Sequence, residues 1–154
     1  MPLATRNLLT LITFVTLVLG GGILIGIATP PDAWFVALAK PSFNPPGWLF
    51  GPVWSVLYIC IAVAGWRQWH SPSGRRGLWW AQLALNFAWS PLFFGAHRID
   101  LALVVILLLL ATILMFVRAT WSTDRTSALL FLPYAAWVSF ATLLNASILS
   151  LNSA

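Results

Sequence analysis

The chain has 154 residues, of which 60% are hydrophobic and only 7% charged. A soluble domain carries about 25% charged residues, so a surface this poor in charge requires the bilayer as its solvent. The net charge of +5 rests on eight scattered Lys and Arg against three Asp and no Glu, which argues against a nucleic-acid patch and removes the commonest carboxylate of general acid/base chemistry.

Taken from the amino end, five stretches are nearly free of charge: 7–31, 41–66, 77–97, 101–117 and 126–154. A helix rises about 1.5 Å per residue and the hydrocarbon core needs roughly 20 residues. The stretches predict one transmembrane domain over 1–154 with five helices, near 7–28, 46–67, 78–96, 100–120 and 127–151. The fourth is short and gains length if Arg98 and Arg118 snorkel to the interfaces. The first follows Arg6, but its apolar core is too long for a signal peptide and lacks a small-x-small cleavage site. Within it, Gly22-Ile23-Leu24-Ile25-Gly26 permits close helix approach, within or between subunits. Cys60, the sole cysteine, lies in an apolar run and reads as a small hydrophobic residue.

The connection at 29–47 is unlike a solvated linker. Five prolines (30, 31, 41, 45 and 46) frame the apolar residues Trp34, Phe35, Leu38 and Phe43. Asp32 before Ala33-Trp34-Phe35-Val36-Ala37-Leu38 predicts an N-cap and about two helical turns, with Trp34 or Phe35 and Leu38 on one face. Such a segment folds back over the bundle, either as an interfacial anchor or as a lid. The second loop, 68–77, is polar turn sequence, and the third, 97–100, is a tight hairpin. Arg6, Arg67, Arg75, Arg76, Arg118 and Arg125 fall on one side and Lys40 and Arg98 on the other. That places the amino terminus on the positive-inside face.

No zinc spacing, phosphate loop, carboxylate pair or Ser with a plausible His base occurs, so neither a metal site nor a cofactor is expected. His70 and His97 read as interfacial side chains. No acidic residue lies within a span, which weighs against a proton-coupled pump. The aromatics are the main signal, with ten Trp, ten Phe and two Tyr. Trp66, Trp69, Trp79, Trp80 and Trp121 fit interfacial belts. Deeper, three helices carry polar–aromatic stripes. They are Trp54 and Tyr58; Gln82, Asn86 and Ser90 flanked by Trp89 and Phe93; and Tyr134, Trp137, Ala141 and Asn145. Polar stripes do not face lipid cheaply, so each points inward. They serve either as interhelical hydrogen-bond glue or as the lining of a pocket for a flat, mostly apolar ligand with polar edges.

Several motifs then converge. Lys40-Pro41-Ser42-Phe43-Asn44-Pro45-Pro46-Gly47-Trp48 leads into Gly51-Pro52-Val53-Trp54-Ser55-Val56-Leu57-Tyr58. Later come Leu85-Asn86-Phe87-Ala88-Trp89-Ser90-Pro91-Leu92-Phe93-Phe94-Gly95 and Pro133-Tyr134-Ala135-Ala136-Trp137, continuing to Asn145. Together with Trp34-Phe35, these resemble the tryptophan-rich sensory protein (TspO) family, whose eukaryotic members are called translocator protein or peripheral benzodiazepine receptor. The resemblance implies a five-helix bundle, usually a homodimer, with a pocket roofed by the first loop. It implies binding of porphyrins such as protoporphyrin and of isoquinoline carboxamide or benzodiazepine drugs, in transport or sensing. The alternative is light-dependent porphyrin breakdown with Trp54 and Trp137 as the actors. Carried over, the ligand-binding residues are Trp34, Phe35, Pro45, Trp54, Tyr58, Asn86, Trp89, Phe93, Trp137, Ala141 and Asn145. Sterol-binding members carry a Leu/Val…Tyr…Lys/Arg pattern late in the fifth helix. Here no Tyr follows Tyr134 and no Lys or Arg follows Arg125, which speaks against high-affinity sterol binding. A bacterial cell membrane, inner or outer, is the expected location.

Overall fold

A computed structural model describes residues 3–153, and among them the fold is all-helical. Bilayer hydrocarbon offers no partner for free backbone N–H and C=O groups, so apolar stretches close their hydrogen bonds within helices. Helix α1 (Leu3–Val15) runs through a π turn (Thr16–Gly20) into α2 (Gly21–Ala28). The short α3 (Ala33–Ala37) lies in the first loop. Then follow α4 (Phe50–His70), α5 (Arg76–Ser90) with a π turn (Pro91–Gly95), α6 (Ile99–Thr120) and α7 (Arg125–Leu151).

Among the described residues, four helical segments are long and apolar enough to cross a membrane: Arg6–Ala28, Gly47–His70, Ile99–Thr120 and Arg125–Leu151. The stretch expected as the third span is divided differently, into 15 residues of α-helix and five of π-helix. Pro91 is the cause, because it has no N–H to continue the i→i−4 ladder. The Ala96 amide instead reaches back five residues to the Pro91 carbonyl at 2.8 Å.

The helices close into a ring. α4 packs against α1 on one side and α7 on the other, α7 against α6, α6 against α5, and α5 against α2. Large apolar side chains such as Leu107, Leu108, Leu114 and Met115 point outward from α6, as lipid-facing residues do. Ile61, Ile113, Phe116, Phe131, Tyr134 and Val138 are fully buried at the centre. The glycines of α2 divide the GxxxG motif. A Cβ on Gly22 would lie 2.1 Å from the Tyr58 ring, whereas one on Gly26 would meet nothing within 4 Å. Gly22 therefore serves a contact within the chain. At the end of the bundle with the polar loops, Asp124 accepts from Arg67 (2.7 Å), from Gln68 (3.0 Å) and from the Ser127 hydroxyl (2.6 Å). Gln68 also accepts from the Arg75 amide at 2.8 Å, so one cluster, with Gln68 and Ser127 buried within it, joins the second and fourth loops.

Candidate functional site

Gln82, Asn86, Tyr134 and Asn145 of the polar–aromatic stripes are buried in the bundle, and the structure sorts most of the stripe residues into two connected groups. The first bridges α4, α5 and α7. Tyr58 donates to Asn86 Oδ1 (3.3 Å), Asn86 Nδ2 donates to Tyr134 Oη (2.8 Å), and Tyr134 donates to Gln82 Oε1 (3.0 Å). Gln82, Asn86 and Tyr134 are buried. Trp54 lies over this chain, with ring centroids 5.2 Å from Tyr58 and 6.3 Å from Tyr134. Four polar side chains with matched donors and acceptors thus cross the bundle, which a low-dielectric interior rewards only when the chain is connected. Gln82 Nε2 is buried at the end of the chain without a protein partner. Ser90, expected on the same face, instead pairs with Thr29 at the end of α2, at 2.8 Å.

The second group lies where the first loop meets the bundle. Trp89 donates its indole N–H to Asn145 Oδ1 at 3.0 Å, and Asn145 Nδ2 donates to the Ile99 carbonyl at 3.1 Å. Trp89 stacks on Phe93 at 5.0 Å. The π turn presents Phe93 and Phe94 side by side, with centroids 4.9 Å apart. Onto these rings come Trp34, edge-on to Phe93 at 6.1 Å, and Phe35, edge-on to Phe94 at 5.1 Å. Edge-to-face pairing at such distances is the favoured aromatic geometry. Trp89 packs against both the central core and this second core, so the groups are continuous.

Asp32 caps α3 as expected, its Oδ1 accepting from the Phe35 amide at 3.1 Å. The helix is five residues long rather than two full turns, because Leu38 is already extended. Three residues that the sequence did not single out as functional hold this segment. Lys40, read as a topology marker, directs its Nζ to the carbonyls of Phe35 (2.6 Å), Val36 (3.1 Å) and Leu38 (3.1 Å), and lies 4.6 Å from the Phe35 ring centroid. A cation at a helix C-terminus satisfies the last carbonyls, and that signal was available in the spacing. Asn152 clamps the Ala39 backbone on both sides, accepting from its N–H (3.0 Å) and donating to its carbonyl (2.9 Å). His97, read as an interfacial side chain, stacks on Trp34 at 4.1 Å and contacts Asp32. The separations from Asn152 to Ala39 and from His97 to Asp32 hide both contacts from any local pattern.

The remaining carried-over residues are placed apart or peripherally. Pro45 is half-buried, and its carbonyl accepts from Asn44 Nδ2 at 3.2 Å. Ala141 packs against the central core. Trp137 lies near Phe50 and Phe140, with centroids 5.7 Å from each. It lines an outward-opening apolar groove of about 610 Å³ between α4 and α7, along with Pro52, Val53, Pro133 and Phe140. Its indole N–H is buried without a protein partner. Trp54 covers the polar chain, and Trp137 walls the groove. Burial and its own hydrogen bonds act against each other at Asp124. Burial, the largest influence, would raise its pKa, but Arg67 and Ser127 together hold it below the usual carboxylate range.

Residues 14–151 match the TspO/MBR family. Among curated proteins, the chain is 39% identical to "Tryptophan-rich protein TspO" of Chlorobaculum tepidum, across 96% of this chain and 98% of that one. It is 38% identical to "Protein CrtK" of Rhodobacter capsulatus, across 82% and 83% of the two chains. It is 39% identical to "Translocator protein" of Homo sapiens, across 73% and 70%.

Proposed function

The chain belongs to the TspO/MBR family, a membership that supports a membrane receptor or transport-type role, and from that premise we propose that it binds a flat tetrapyrrole such as protoporphyrin. Drug-like isoquinoline carboxamides and benzodiazepines are proposed ligands of the same site. The protein acts as one domain of five spans. The run from Arg76 to Gly95, α-helix plus π turn, is the fifth span besides the four that length and composition identify. A homodimer in a bacterial cell membrane, with the amino terminus on the Arg-rich side, completes the reading.

The observation that carries the proposal is the layer made by Trp34, Phe35, Trp89 and Phe93, with the Asn145 amide fixed behind it on the Trp89 indole and Asn86 in the adjoining polar chain. Convergent rings with a few fixed amides suit a planar apolar ligand with polar edges. In this arrangement the rings of the loop and of α5 fill each other's space, so a ligand takes the place of ring–ring contacts. The first loop is then a lid that lifts, and its half-buried Trp34 covers the bound molecule.

The test is a titration of the purified protein with protoporphyrin, read by porphyrin absorbance because ten indoles confuse fluorescence. Trp34→Ala is expected to weaken binding several-fold while the protein stays helical. Unchanged affinity in a folded variant refutes the lid. Full affinity after Trp54→Ala with Trp137→Ala shows that neither ring contributes to the ligand site.

Light-dependent breakdown of bound porphyrin is the second reading. It is favoured by the contact of Trp54 with two phenols, Tyr58 and Tyr134, an arrangement of oxidisable rings. Product formed in light and not in darkness, and lost in Trp54→Phe with Trp137→Phe while binding persists, is its signature.

A further inference from the structure

The first loop is tied to the rest of the chain by two polar contacts of different character. At its far end, the Ala39 backbone is gripped by the neutral amide of Asn152. At its near end, His97 Nε2 meets Asp32 Oδ2 at 3.1 Å, and the Trp34 ring lies parallel on the imidazole, with an interplanar angle of 16° and centroids 4.1 Å apart. We propose that His97 is a proton-controlled latch on the lid: protonated it holds Asp32 and Trp34 down, and neutral it lets this end of the loop lift while Asn152 keeps the other end in place.

The geometry carries the proposal in three steps. His97 occupies a defined position, because it has a left-handed backbone conformation with φ 54°. The turn around it is closed by the Ala96 amide on the Pro91 carbonyl and the Arg98 amide on the Leu92 carbonyl. Histidine is among the non-glycine residues found more often in that conformation. Next, Asp32 uses its two oxygens for different tasks. Oδ1 caps α3 through the Phe35 amide, and Oδ2 faces His97. The same carboxylate thereby couples the helix start to the latch. The Phe35 amide, together with His97, holds its pKa below the ordinary carboxylate range, so it is charged whenever histidine titrates.

The other charges around His97 are already engaged. Lys40 Nζ is bound to three carbonyls of the loop. Arg98 forms a bidentate pair with Asp100, at 2.9 and 2.7 Å. Among the described residues, Asp32 is thus the one charge that faces His97 directly. A protonated imidazole attracts it and also offers a cation to the face of Trp34. Histidine changes charge between about pH 5 and 8, so lid closure is favoured toward the acidic side of that range. Both partners are partly exposed, which sets the effect at about two- to five-fold in the opening equilibrium.

The latch deepens the lid reading given above, but hydrogen exchange tests it without any ligand. In lipid nanodiscs, protection of the Phe35, Val36 and Leu38 amides, corrected for intrinsic exchange, is measured at about pH 5.5 and pH 8. Protection two- to five-fold greater at the lower pH is expected. The Ala39 amide, held by Asn152, is expected to show no such change and serves as the internal reference. His97→Asn tolerates the left-handed backbone, and Asp32→Asn keeps the helix cap. Both are expected to abolish the difference. A wild-type loop indifferent to pH, or an undiminished difference in either variant, overturns the proposal. Dissociation of a neutral isoquinoline carboxamide is then followed at both pH values. Failure of that compound to bind overturns the ligand assignment and leaves the exchange result to decide the latch.

Discussion

The indole N–H of Trp89 ends on the side-chain oxygen of Asn145, 3.0 Å away and 56 residues distant in the chain. Asn145 uses its amide nitrogen on the Ile99 carbonyl at the start of α6, so one side chain ties α5, α6 and α7 together. It also sets the plane of the Trp89 ring, against which Phe93 stacks.

Asn145→Leu keeps the approximate volume and removes both bonds. Interhelical hydrogen bonds inside membranes contribute about 0.6 kcal/mol on average, because the unfolded chain in lipid also finds partners. A loss of about 1 kcal/mol is therefore expected, well below the cost of a large cavity. Unfolding of the purified protein in mixed micelles measures it. Binding should fall further than stability, since the freed Trp89 ring no longer holds its plane. Equal affinity in the variant would place Trp89 outside the ligand site.

The two glycines of the GxxxG motif should behave differently. Gly22→Ala places a methyl group against Tyr58, a ring held by Asn86 and flanked by Trp54 and Phe87. Overpacking of that kind costs about 1–3 kcal/mol, and loss of the Tyr58–Asn86 bond accompanies it. Gly26→Ala meets nothing and is expected to leave the stability of the fold unchanged. If crosslinking in membranes shows that Gly26→Ala instead reduces a dimer, the open half of the motif serves contact between subunits.

Acid should loosen the Arg67–Gln68–Asp124–Ser127 junction. The folded pKa of Asp124 lies below its ordinary value of 3.8 because the bonds from Arg67 and Ser127 outweigh the effect of burial. Its stabilising contribution is therefore complete above the unfolded pKa and disappears as pH falls through the folded one. Thermal unfolding in detergent should show a midpoint that declines below about pH 4. Asp124→Asn should start lower and decline less steeply. Some slope remains, because Asp32 is held low by the Phe35 amide in the same way. An identical slope in wild type and variant would show that the junction is not what titrates.

Composition and spacing alone established the bilayer as solvent, the all-helical class and the inward side of Gln82, Asn86, Tyr134 and Asn145. Composition decided these properties, because hydrocarbon leaves the backbone no option but helices, and a polar stripe at three- and four-residue spacing has only the bundle interior to face. The cap at Asp32 was legible for the same reason: donor and acceptor are three residues apart. Motif order and spacing also pointed to the family that the whole-chain comparisons show. Tertiary structure decided the rest. Only the fold brings His97 to Asp32, Asn152 to Ala39 and Tyr134 to Gln82. It seats Tyr58 in the space that Gly22 leaves, and assigns Lys40 to the carbonyls of α3 rather than to a lipid headgroup. The physical reason is the same in each case. Helix periodicity states which face a side chain occupies, but ring order, π turns and the path of a loop determine which residue from another helix it meets.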